Sequence, residues 1–152
     1  MTSGALGKWP VTVELPVQWG DMDAFGHVNN AVYLRWFESA RIAYFERAGV
    51  MLQMPDLGPI LARQEIDYRL PLRYPDRLLV SATVSKFGNT SFTMSLRLRS
   101  QKHERAIAAE SVAVIVLLDY RTGRKVPLPD DLKGRIEALE ASGPELPPPQ
   151  GN

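Results

Sequence analysis

Residues 28–49 read VNNAVYLRWFESARIAYFERAG. The stretch has no glycine or proline before Gly49 and no two-residue alternation, so it predicts a helix of about five turns, roughly 27 Å long at 1.5 Å per residue. Asn29 or Asn30 suits the N-cap, and Gly49 suits a left-handed stop. Val32, Tyr33, Leu34, Trp36, Phe37, Ala40, Ile42, Ala43, Tyr44 and Phe45 cover most of its circumference, and its charges are confined to Arg35, Glu38, Arg41, Glu46 and Arg47. A helix this apolar is expected to be a core element, buried on most sides by something wide.

The rest of the chain supplies a wrapper. Val11 to Gln18 is short and β-rich, with Pro16 pointing to an edge position or bulge. Downstream, Ile60–Leu70, Leu78–Phe87, Ser91–Gln101 and Ala106–Leu118 read as long strands. In the third of these, Phe92, Met94, Leu96 and Leu98 alternate with Thr93, Ser95, Arg97 and Arg99. Gly88-Asn89 marks a hairpin. The last strand is apolar on both faces from Val112 to Leu118, which implies a second covering surface such as a partner subunit. A short helix, about Asp131 to Ala141 and opened by Pro129-Asp130, closes the domain. The expected fold class is α+β, a curved antiparallel sheet around one long central helix.

Composition agrees with one domain. The chain has 152 residues, 45% apolar and 23% charged, enough to bury a core without staples. It has no cysteine, which excludes disulfides, Cys-ligated metal and a Cys nucleophile. Eighteen basic against seventeen acidic residues give +1, no footprint for a nucleic-acid partner. No segment approaches a membrane span, and the N-terminus lacks an apolar leader pattern, so a cytoplasmic location is expected. Residues 1–8 are expected to be flexible, 9–142 to form the domain, and 143–152, with four prolines in ten residues, to be a disordered tail.

Chemistry-bearing residues are densest in the loop before the helix, Trp19-Gly20-Asp21-Met22-Asp23-Ala24-Phe25-Gly26-His27-Val28-Asn29-Asn30. A calcium loop beginning at Asp21 fails, because Phe25 occupies a ligand position and Val32 stands where a bidentate Glu belongs. An aspartyl phosphatase needs a parallel scaffold, against the antiparallel strand run. Helix capping alone would explain acids and amides here. The buried helix adds free N–H groups and about half a positive charge in a poorly hydrated place, suited to an oxyanion. A carboxylate across the same cavity then completes a minimal kit for acyl transfer.

The stretch from Trp19 to Gly49 resembles the hotdog-fold acyl-CoA thioesterases of the 4-hydroxybenzoyl-CoA thioesterase type. The resemblance rests on Trp19, Asp21, Asp23, Gly26, Asn30, Tyr33 and Phe37-Glu38-Ser39-Ala40-Arg41, and on the later Asp67-Tyr68-Arg69-Leu70-Pro71-Leu72-Arg73-Tyr74-Pro75-Asp76. It covers about residues 11–141 and implies a hotdog fold. It also implies hydrolysis of an acyl-CoA, with Asp23 as the catalytic carboxylate and the backbone N–H at or near Asn30 as the carbonyl-polarising donor. Trp19, Gly26, His27 and Asn29 are the loop's expected substrate contacts, and Phe87 and Phe92 are expected to line the pantetheine tunnel. The resemblance further implies a homodimer or a tetramer of dimers, with the cavity between two subunits.

Other residues have plainer readings. Asp21 is expected to hold the loop through backbone N–H bonds. Glu38, a second candidate carboxylate, has Arg35 and Arg41 at helical spacing and is explained by ion pairing. His27 and His103 lack metal-ligand spacing, so neither a metal nor a bound cofactor is expected. Lys86, Arg97, Arg99, Arg121, Arg124 and Lys125 are candidates for the coenzyme A phosphates. The reading is an acyl-CoA thioesterase, aliphatic slightly before aryl, with Asp23 as nucleophile or as base for water. A hotdog hydratase or dehydratase using His27 with Glu38, and a non-catalytic acyl-CoA binding module, are the alternatives.

Overall fold

The computed structural model describes residues 6–50 and 56–144. Strand β1 (Val11–Val17) leads to the long helix α1 (Asn30–Ala48). Strands β2 (Leu57–Tyr68), β3 (Asp76–Phe87), β4 (Ser91–Ser100) and β5 (Ala106–Asp119) follow, and helix α2 (Asp130–Ala141) comes last. The strands form one antiparallel sheet in the order β1-β3-β4-β5-β2. Pro16 lies on edge strand β1, where its missing N–H costs no ladder bond. Two strands begin earlier than local pattern suggests, because pairing continues past the apolar run: Leu57 pairs with Asp119, and Asp76 with Val17. β2 also ends two residues early, since the N–H groups of Arg69 and Leu70 both turn to the Ala108 carbonyl.

Helix α1 starts where Asn29 Oδ1 accepts the Ala31 N–H, and stops at Gly49 with φ 74°. Tyr33, Trp36, Phe37, Ala40, Tyr44 and Phe45 pack against the inner sheet face, where Phe92, Met94, Leu96, Leu98, Ala113 and Ile115 are buried. The wrapping is incomplete. Leu34 and Ile42 on α1 stay exposed, as do Ile60, Leu61 and Tyr68 on β2, because five strands cover only part of the helix's circumference. On the outer sheet face Val112 is 42% exposed.

Helix α2 buries Leu132 and Ile136 and brings in one carboxylate, Glu140, whose residue is wholly buried. Glu140 accepts four donors: Lys8 N (2.8 Å), Thr83 Oγ1 (2.6 Å), Tyr44 Oη (2.7 Å) and Val84 N (3.0 Å). The carboxylate thus joins α1, α2, β3 and the segment before β1. Of the termini expected to be loose, residues 1–5 and 145–152 lie outside the described residues. The chain is anchored from residue 7 onward, where Gly7 N donates to the Val84 carbonyl and Lys8 N to Glu140.

Candidate active site

The loop between β1 and α1 is held by Asp21. Its carboxylate is buried, taking the Gln18 N–H at 2.7 Å and Arg35 Nη2 at 3.2 Å, while its carbonyl takes the Asn29 N–H. Asp21 therefore holds the loop, the role expected of it. Beyond it the chain makes a small hairpin: Met22 bridges Val28, Asp23 N donates to the His27 carbonyl, and Gly26 turns the corner at φ 79°.

At the start of α1 the donors can be followed one by one. Val28 N goes to the Leu72 carbonyl, Asn29 N to Asp21, Ala31 N to the Asn29 side chain and Val32 N to the Asn29 carbonyl. Asn30 N–H has no acceptor among the described residues. Helix geometry points it out of the N-terminus with the positive end of the dipole behind it.

Asn30 lines a cleft of about 320 Å³ with His27, Val28, Tyr33, Tyr68, Arg69, Leu70 and Pro71. Tyr68 Oη donates to the Asn30 carbonyl (3.1 Å), and its ring meets Tyr33 edge-on at 4.9 Å. Burial, with a smaller contribution from Tyr68, pushes the Tyr33 phenol up to about 12, so it stays protonated at neutral pH. Arg73 Nη2 lies 3.1 Å from His27 Nε2. Since a guanidinium only donates, this nitrogen of His27 is the acceptor and its proton sits on Nδ1.

The expected site residues are not all gathered here. His27 and Asn30 share the cleft, and Asn29 is consumed by capping. Asp23 is exposed beside them: Oδ1 accepts the Phe25 N–H (2.9 Å), and Oδ2 takes no bond from the described residues. Trp19 is exposed, edge-on to Tyr74, and Phe25 is 86% exposed. Phe92 is buried edge-on to Phe45, and Phe87 packs against the same core. The inward position of Phe92 in β4 faces the helix. Glu38 lines a different cleft, of about 200 Å³, with Arg41, Ile42, Phe45, Pro59, Leu61, Ile115 and Tyr120. Arg41 Nη2 is 3.8 Å from Glu38, and the buried Arg41 Nη1 has no partner among the described residues. Arg35, expected to pair with Glu38, turns to Asp21 instead.

Sequence reasoning missed Tyr68, Arg69, Leu70 and Arg73 as parts of this region. A short connection makes β2 run back along α1, which returns the end of β2 to the beginning of the helix. Strand length and connection length together carried that signal.

Residues 17–136 match the sequence profile of the thioesterase-like superfamily. A thioesterase of Thermus thermophilus, solved with coenzyme A and zinc, is 36% identical; the match covers 89% of this chain and 97% of that one, with a TM-score of 0.76. The PA2801 protein of Pseudomonas aeruginosa is 30% identical over 84% of this chain and 98% of its own, also at 0.76. The long-chain acyl-CoA thioesterase FadM of Escherichia coli is 23% identical over 128 residues, 83% of this chain and 96% of FadM.

Proposed function

We propose a reaction for this chain, which belongs to the thioesterase-like superfamily, has the hotdog fold and is a thioester hydrolase: it converts an acyl-CoA and water to the carboxylate and free CoA. The observation that carries the mechanism is the Asn30 N–H, without an acceptor among the described residues, beside the cleft at the N-terminus of α1. A thioester carbonyl seated there meets a fixed donor and the helix dipole where negative charge develops. Asp23, with Oδ2 unengaged among the described residues, attacks the carbonyl to give a mixed anhydride and thiolate, or takes the proton from an attacking water. A thiolate leaves readily, so no strong general acid is required.

The site is completed by a second copy. β2 is a twelve-residue edge strand whose outer side has no strand partner among the described residues. Of the exposed apolar residues, Ile42 of α1 and Leu61 of β2 line one cleft, and Tyr68 meets Tyr33 at the other end of the strand. A long bare edge beside apolar side chains is a template for another chain. A homodimer formed there covers the open side of α1 and encloses the face on which Asp23 and Trp19 stand exposed. The partly exposed Val112 row offers a second contact for a tetramer.

The acyl group is read as aliphatic, in keeping with the name of FadM. A cytoplasmic location goes with a CoA-linked substrate. The hydratase reading loses support because His27 and Glu38 line different clefts.

Thiol release over a panel of aliphatic and aryl acyl-CoAs, run beside Asp23→Asn and Glu38→Gln, tests the reading. Asp23→Asn is expected to lose about 10²- to 10⁴-fold in kcat, with Glu38→Gln active. A dead Glu38→Gln beside an active Asp23→Asn overturns the site assignment. Wild type that binds CoA esters and hydrolyses none is a binding module.

A further inference from the structure

The cations proposed from sequence for the coenzyme A phosphates are partly committed elsewhere. Arg97 stacks on Trp9 at 4.1 Å and faces Glu110, and Arg121 faces Asp56. Arg69, at the wall of the cleft, is held by Glu110 (3.0 Å) and faces Asp67. Arg73 differs. It is exposed, has no carboxylate within ion-pair distance among the described residues, and meets only the His27 ring. His27 itself lines the cleft. A guanidinium has five N–H donors in a fixed fork. One of them is spent here on a neutral acceptor, which orients the fork at the rim and leaves its charge uncompensated. This arrangement suits a phosphate oxyanion better than a protein partner.

We propose that Arg73, oriented by His27, binds the phosphate at the far end of the pantetheine arm of the thioester substrate. The inference rests on the thioesterase reading and adds a substrate contact to it. The same phosphate chemistry occurs in coenzyme A and in a carrier protein's phosphopantetheine, so the test contains both. His27 is a positioning residue in this arrangement: it aims the guanidinium and takes no part in bond breaking.

The test measures CoA and pantetheine binding by calorimetry, and turnover of one acyl group carried on CoA, on carrier protein and on N-acetylcysteamine, which has no phosphate. Loss of charge-assisted bonds in Arg73→Gln is expected to weaken CoA binding about 10- to 100-fold. KM for acyl-CoA rises correspondingly with kcat little changed, and the N-acetylcysteamine ester is unaffected. Arg73→Lys recovers part of the loss by restoring charge without the fork, and His27→Ala shows a smaller loss of the same kind. A KM effect confined to the carrier-protein substrate supports the site and assigns the phosphate to that source. Unchanged CoA binding in Arg73→Gln together with an unchanged KM for the carrier-protein ester, or an equal loss on the N-acetylcysteamine ester, overturns the proposal. Failure of the thioesterase reading looks different: wild type then hydrolyses none of the three esters, while the calorimetry still decides whether Arg73 binds the phosphate.

Discussion

Replacing Glu140 with Gln keeps shape and volume and exchanges one acceptor oxygen for an NH₂ group. Each carboxylate oxygen accepts one hydroxyl and one backbone donor: Oε1 takes Thr83 Oγ1 and Lys8 N, Oε2 takes Tyr44 Oη and Val84 N. The hydroxyls can rotate to accept from an amide, but the backbone N–H groups cannot. Whichever way the amide is flipped, one backbone N–H faces an NH₂ in a fully buried place, a cost of about 1–3 kcal/mol. The two backbone and hydroxyl bonds that remain lose their charge assistance, roughly half their strength. Relief from burying a charge offsets part of this, leaving a net loss of about 2–4 kcal/mol. With a urea m-value of about 1–3 kcal/mol/M, the unfolding midpoint falls by roughly 1–2 M. Urea unfolding at fixed protein concentration reads it, and Tyr44→Phe with the double variant isolates the pairwise coupling, expected at about 0.5–3 kcal/mol. A midpoint unchanged in Glu140→Gln, or zero coupling to Tyr44, would refute the view of this carboxylate as the junction of α1, α2 and β3. Thiol release by the folded variant should match wild type, since Glu140 lies outside the cleft.

Asn29→Ala removes the α1 cap and is expected to cost about 0.5–2 kcal/mol in thermal or urea unfolding, with a fall in kcat as the first turn loosens around Asn30. Leu61→Glu with Ile42→Glu places charges in the exposed apolar cleft beside β2; sedimentation is expected to give a dimer for wild type and a monomer for the double variant, and an unchanged dimer in the variant would move the interface elsewhere. In a spectrophotometric titration the Tyr33 and Tyr44 phenols should stay protonated well above 10.0 in the native protein. Burial raises both, Tyr33 to about 12, and the Glu140 bond raises Tyr44 further. The unfolded chain releases those protons first, so stability is full below pH 10 and falls as pH climbs toward 12; tyrosinate absorbance appearing near pH 10 without unfolding would contradict this burial.

Much of the fold was legible because its signals are local. The apolar girth of residues 28–49, the alternation from Phe92 to Leu98, Pro16 on an edge and Gly49 as a stop each declare themselves within a few residues of chain. Asp21 as the loop's fastener was legible for the same reason, since it bonds within its own turn. Less of the candidate site was legible. Asp23 and Asn30 stand in one short motif, but whether a helix donor is spare depends on what each neighbouring N–H finds: Asn29's own oxygens for two of them, Leu72's carbonyl for another. The edge-on contact of Phe92 with Phe45 likewise depends on its register in β4.

By itself, then, the sequence determined two helices, five strands in antiparallel order and the loop that carries the acids, since hydrophobic period and turn residues act over distances the chain itself spans. The tertiary structure decided which groups meet. The return of β2 along α1 sets Tyr68 against Asn30, the chain after β2 brings Arg73 to His27, and α2 delivers Glu140 between Tyr44 and Thr83. These partners lie 38, 46, 96 and 57 residues apart. A hydrogen bond is settled by positions within about 3 Å, and over such separations only the packed sheet and helices fix those positions.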